Sequence, residues 1–110
     1  MAPKRRVSNP PKDLSERNVL ILASLAGGAK HGYALIQDVR EFAGVTLGPG
    51  TLYGCLAKLE ASGLIEALPA QDRRLPYRIT VVGLELLQAR LAASARVAEV
   101  GLARTRKALA

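Results

Sequence analysis

The chain has one cysteine, one histidine, one phenylalanine, three tyrosines and no tryptophan among its 110 residues. A lone cysteine, Cys55, excludes an intrachain disulfide and fits a reducing compartment. One cysteine with one histidine gives too few ligands for a zinc site within a single chain. No metal and no cofactor are expected. Acidic residues are scarce: nine Asp and Glu stand against sixteen Lys and Arg, for a formal net charge of +7. That balance favours polyanionic partners, with DNA, RNA and anionic membrane all open at this level. No stretch approaches the roughly 18 apolar residues of a membrane span. The run Val19–Ala26 is short for the core of a secretory leader, and Asp13 and Glu16 lie in what would be its cationic part. A cytoplasmic protein is the expectation. A nucleophile paired with a base, a phosphate-cradling glycine loop after a strand and a metal cluster are all missing, so no catalytic residue is assigned and an enzyme is not expected.

What is present is a dense pattern of helical periodicities. Residues 1–12 hold Lys4, Arg5, Arg6 and Lys12 among prolines, and read as a disordered basic arm. Asp13 and Glu16 resemble a capping box, which predicts a first helix from there to Leu25, ended by Gly27-Gly28. A second helix is predicted from His31 to Ala43, with Leu35, Ile36, Val39 and Phe42 on its apolar stripe and Gly44 as its stop. Leu47-Gly48-Pro49-Gly50 is a turn signal. Pro49 opens a third helix that runs to Ser62, with Leu52, Leu56 and Leu59 on one side and Gly63 after it. Leu64–Leu68 and Tyr77–Ile79 read as the strands of a hairpin around the polar turn Gln71-Asp72-Arg73-Arg74. Thr80 caps a last helix from Val81 to Leu109, about 40 Å long at roughly 1.5 Å per residue.

The fold class follows: mainly α with a small β-hairpin, a winged helix-turn-helix with a long C-terminal dimerisation helix. The expected organisation is an arm (1–12), a DNA-binding winged domain (13–80) and a dimerisation helix (81–110). A chain this small buries too little of its own surface, so oligomerisation is physically useful.

The third helix carries the candidate site. Thr51, Gly54 and Lys58 lie opposite its leucine stripe, flanked by Tyr53 and Ala57. Small residues let a helix backbone enter a groove closely. Thr51 and Tyr53 offer hydroxyls to phosphates, Lys58 adds charge, and the Pro49-Gly50 start exposes amide N–H groups. The alternative for the same spacing is an ordinary solvated face. Arg73 and Arg74 at the hairpin tip suit a minor groove or a phosphate clamp, or are simply a polar turn. The Lys4-Arg5-Arg6 arm is read as a solubilising tail before a groove-binding one. Tyr33 offers a hydroxyl to phosphate, and His31 suits a helix cap. Cys55 beside the leucine stripe is a small core residue rather than a redox sensor. On the last helix, Leu84, Leu87, Leu91, Ser94 and Ala98 keep a 3-4-3-4 spacing, with Ala95 and Leu102 bordering it. That seam predicts a dimer interface, and the alternative is a helix folded back on its own domain. A two-fold dimer sets two reading helices about 34–36 Å apart on a pseudo-palindromic operator.

Six segments in order resemble the PadR family of transcriptional regulators, in its short, single winged-helix subgroup. They are Leu22-Ala23-Ser24-Leu25, His31-Gly32-Tyr33, Pro49-Gly50-Thr51-Leu52-Tyr53, Leu56-Ala57-Lys58-Leu59-Glu60, Gly63-Leu64-Ile65 and Tyr77-Arg78-Ile79-Thr80. The resemblance implies a homodimeric winged-helix repressor that contacts DNA through Tyr33, Thr51, Tyr53 and Lys58, with Arg73 and Arg74 in the wing. It also implies a response to small hydrophobic or aromatic effectors. Three positions depart from the family pattern. Gly54 stands where a proline is usual, Val81 stands where an acidic residue is usual, and no tryptophan is available to sandwich a flat ligand. The competing function is a winged-helix protein–protein module that does not bind DNA.

Overall fold

The computed structural model describes residues 14–110, so the basic arm and Asp13 lie outside the described residues. Seven elements follow in order: α1 Glu16–Ala26, β1 Lys30–His31, α2 Gly32–Ala43, α3 Pro49–Ala61, β2 Ile65–Ala67, β3 Pro76–Ile79 and α4 Val81–Leu109.

The start of α1 differs from the capping-box expectation. Ser15, not Asp13, is the N-cap, and its side chain accepts from Asn18 N–H at 3.0 Å. Glu16 therefore begins the first turn, where its charge complements the helix dipole. Helices α2 and α3 fall within a residue of their predicted bounds. Gly44 ends α2 with φ of +69°, a left-handed conformation that glycine adopts without a Cβ clash. Thr80 joins two elements: its hydroxyl donates to the Gly63 carbonyl at 2.8 Å and accepts from Gly83 N–H at 3.0 Å. One side chain thereby closes the exit of α3 onto the start of α4.

The expected hairpin is part of a three-stranded antiparallel sheet in the order β1-β3-β2. The added strand β1 pairs Lys30 with Tyr77 and His31 with Pro76. Two residues give no periodicity to read, so the sequence pattern could not show it. Across β2 and β3, Glu66 faces Arg78 and accepts two hydrogen bonds from it. This exposed pair contributes at most about 1 kcal/mol.

The core is aliphatic. Ile21, Leu22 and Leu25 of α1, Leu35 and Val39 of α2, Leu52, Leu56 and Leu59 of α3, and Leu64 and Ile65 beside the sheet are all essentially inaccessible. Cys55 packs half-buried against them, as a small core neighbour does. Phe42 departs from its predicted stripe and is 51% exposed, because α2 is nearing its end there and the core has closed at Val39. A polar strut ties β1 to the helices: Ser24 donates to Asp38 at 2.6 Å, and the Lys30 ammonium donates to the carbonyls of Ser24 and Gly28.

Helix α4 begins in the body and then leaves it. Gly83 and Leu87 are buried against the winged unit, and Arg90 reaches the Leu14 carbonyl and Glu16. Beyond Arg90 almost every α4 residue is exposed. The radius of gyration is 16.0 Å, against about 13 Å for a compact chain of this length. The projecting helix accounts for the difference.

Tyr77 on β3 is 8% exposed. Burial, then the charge of Glu60 and then Tyr53, push its phenol pKa above the ordinary value of 10.0. Above pH 10 the unfolded chain gives up this proton while the folded chain keeps it, so stability falls as pH rises through that window. Thermal melts across pH 9–11 should show that decline. Tyr77→Phe should flatten it, and an unchanged slope would assign it to other groups.

Candidate nucleic-acid interface

The leucine side of α3 is turned inward, so its opposite side is open. Thr51, Gly54, Ala57 and Lys58 are exposed, and Tyr53 is 52% exposed. The helix begins at Gly48 with no side-chain cap and with Pro49 in its first position. Leu52 N–H is the first to bond within the turn, to the Gly48 carbonyl at 2.9 Å. The amides of Gly50 and Thr51 thus lie at a bare helix start, where the dipole favours an anion.

Helix α2 begins beside α3, with Gly32 next to Leu52 and Tyr53. Tyr33 is 64% exposed and its hydroxyl accepts from Gln37 at 3.3 Å. His31 is the N-cap of α2, with Nδ1 3.4 Å from Ala34 N–H. The two helices meet at a point that the sequence did not reveal. A Cβ added to Gly32 would collide with the hydroxyl end of Tyr53 and lie 2.9 Å from its Cζ. Gly32 therefore leaves the seat into which the Tyr53 ring folds. The motif His31-Gly32-Tyr33 was visible in the sequence, but the side chain that lies against the glycine is twenty-one residues away in another helix.

The wing is a tight turn. Gln71 and Arg74 exchange backbone hydrogen bonds at 2.7 and 2.8 Å, and Asp72 and Arg73 both have positive φ, of 49° and 66°. Two left-handed residues in a two-residue loop are the mark of a type I′ hairpin turn. This puts Arg73 and Arg74 at the exposed tip, as the sequence pattern predicted. The Arg74 guanidinium reaches the Nε2 of His31 at 3.2 Å, which links the wing to the start of α2. Neither tyrosine seat nor this link carries a local sequence signal, because each spans elements far apart in the chain.

The predicted dimer seam is split by the fold. Leu84 and Leu91 are 42% and 43% exposed, Leu102 is 58% exposed, and Ser94, Ala95 and Ala98 are exposed. Leu87 is corrected: it is 4% exposed and packs into the protomer's own core. Its heptad position is inward because α4 must first cover α1 before it projects. Val97 and Val100, 73% and 46% exposed on the other side of α4, were not anticipated.

A helix pair whose second member has a bare N-terminus, a three-stranded sheet ending in a basic wing, and a long following helix define a winged helix-turn-helix fold. A family model described as the transcriptional regulator PadR-like family matches residues 21–89. The chain belongs to that family, whose members are regulators rather than enzymes.

The chain is 40% identical over 83 residues to an uncharacterised protein carried by a transposon of Streptomyces fradiae, covering 76% of this chain and 24% of that one. It is 39% identical over 61 residues to the transcriptional activator GvpE2 of Halobacterium salinarum, covering 56% of this chain and 31% of the activator. The chain thus spans less than a third of the length of each of these two relatives. Among solved structures, RosR of H. salinarum is 27% identical with a TM-score of 0.70, covering 77% of each chain. Among the described residues, no helix is long and apolar enough to cross a membrane.

Proposed function

We propose that this chain is a homodimeric repressor that binds a pseudo-palindromic DNA operator and is released by a small hydrophobic effector. One observation carries the DNA reading. Thr51, Gly54 and Lys58 share the open side of a helix whose other side is wholly committed to the core. Groove contact then falls to Thr51, Tyr53 and Gly54, with Lys58 on an adjoining phosphate. Backbone phosphates fall to the amides after Pro49 and Gly50 and to Tyr33, and the flanking minor groove to Arg73 and Arg74. The test is an electrophoretic shift on the DNA upstream of the gene, repeated across salt. Phosphate contacts make affinity fall steeply with salt. Weak, salt-insensitive retention would point instead to a protein–protein module.

Dimerisation is supported by the exposed apolar surface of α4. A helix that leaves Leu84, Leu91, Val97, Val100 and Leu102 in water is far from an ordinary surface helix. A second copy laid along α4 would cover the first, second and last of these. Leu84→Glu with Leu91→Glu is expected to give monomers by sedimentation while the fold remains, since neither side chain is in the core. A dimer that survives both changes would move the interface to another face. For the effector, the apolar recess bounded by Ala26, Leu84, Leu87, Gln88, Leu91 and Ala92 shares Leu84 and Leu91 with that seam. A hydrophobic molecule there would bias the packing of α4 and hence the spacing of the reading helices. The activator name of one relative favours a second reading, in which the same binding raises transcription. A reporter assay with and without the chain separates the two.

A further inference from the structure

His31 stands at the joint between the reading helices and the wing. It is the chain's single histidine, it precedes α2, and it pairs with Pro76 on β3. Its two ring nitrogens face two different donors. Ala34 N–H, in the first turn of α2, lies 3.4 Å from Nδ1. The Arg74 guanidinium lies 3.2 Å from Nε2. A neutral imidazole has one acceptor nitrogen, and neither donor has a lone pair to offer back. The ring therefore serves one of them at a time. With the proton on Nδ1 it accepts from Arg74 and leaves the Ala34 amide to water. With the proton on Nε2 it caps α2 and gives up Arg74. The contact to Arg74 is shorter and charge-assisted, so it wins in the free protein. Lys30, next in sequence, does not compete, because its ammonium is turned to the carbonyls of Ser24 and Gly28. Gln71, Asp72 and Pro76 complete the recess.

We propose that His31 is a positioning residue for the wing. It holds Arg74 in place in the free protein, and takes up the α2 cap once Arg74 moves onto a DNA phosphate. The inference rests on the DNA-binding reading above for its second half only. A phosphate is a stronger partner for guanidinium than a neutral ring, so the transfer is downhill, and the released lone pair then satisfies Ala34 N–H. The two wing arginines thus divide their work. Arg74 is a pre-aimed clamp. Arg73, left-handed at the tip and without a side-chain hydrogen bond among the described residues, is free to enter a groove.

Two measurements test this. The first needs no DNA. Because the chain has one imidazole, ¹⁵N NMR reads its tautomer directly, at pH 8 where an ordinary imidazole is neutral. The wild type is expected to carry the proton on Nδ1, and Arg74→Ala to move it to Nε2. The same tautomer in both proteins would mean that Arg74 does not engage the ring. The second is a cycle of DNA affinities. His31→Asn keeps a good N-cap, but its shorter side chain ends before the Arg74 guanidinium. Affinity should fall roughly three- to tenfold in the Arg74 background and less than about twofold in the Arg74→Ala background, with melting temperature unchanged. Equal losses in both backgrounds would leave His31 a cap only. A gain in affinity, or an Arg74→Ala protein that binds as tightly as wild type, overturns the proposal as well. If the wild type binds no DNA, the proposed function fails and the tautomer alone decides the contact.

Discussion

Gly83→Ala is expected to destabilise the protein by about 2–3 kcal/mol, the range of an overpacked core. Gly83 sits in the first turn of α4, directly against the end of α3. A Cβ there would overlap the Leu64 carbonyl oxygen and lie 2.8 Å from Ile79 Cγ1. The obstacle is backbone, not a side chain that can rotate away. That same carbonyl accepts from Thr80 N–H at 3.0 Å, so moving it breaks the α4 cap region as well. For a domain of this size the melting temperature should drop by about 10–20 °C. Gly54→Ala is the control. It is also a helical glycine, but open space surrounds its added Cβ. It should raise stability by about 0.5–1 kcal/mol through helix propensity. If the two variants melt alike, the close approach of α4 to Leu64 is not a constraint on the fold.

Thr51→Ala combined with Tyr53→Phe is expected to weaken operator binding by at least roughly tenfold, at about 1 kcal/mol or more per lost contact. The melting temperature should stay near wild type. Thr51 is exposed and Tyr53 is 52% exposed, and the phenyl ring left by the second substitution would still lie beside Gly32. Lys58→Ala should act differently. It is exposed in the last turn of α3, away from the bare helix start, and is assigned a phosphate contact. Its loss should weaken specific and non-specific DNA alike, and lower the slope of log affinity against log salt by about one. Fluorescence anisotropy across a salt series measures both. Affinity that ignores the double substitution would take α3 out of the groove.

Much of the architecture was readable from local pattern. Leu52, Leu56 and Leu59 recur at helical spacing and are all buried, so the bounds and the inward side of α3 followed from the sequence. Thr80 is a cap and was recognisable as one. The failures share a cause. Asp13 was read as the cap of α1; Ser15 takes that place, between the buried Leu14 and a helix that buries Val19. Strand β1 is too short to show alternation, and exists because β3 offers it an edge. Leu87 belongs to the seam by spacing, but to the core by contact. Phe42 continues a stripe that the fold no longer covers at that turn.

The candidate site divides the same way. The chemistry of Thr51, Tyr53, Lys58, Arg73 and Arg74 is a property of residue type and helical angle, and so was legible. Their alignment was not. Gly32 matters because of Tyr53, and His31 because of Arg74, across separations of twenty-one and forty-three residues.

Periodicity, caps and charge by themselves determined the helices, the polar and apolar sides of α3, and the basic tip of the wing. These depend on neighbours within a turn or a hairpin, where spacing fixes geometry. Only the tertiary structure decided which leucine of α4 serves the core, which glycines lie against another element, and how the wing touches the start of α2. Those outcomes depend on atoms brought together from distant parts of the chain, whose approach is set by close packing rather than by local pattern.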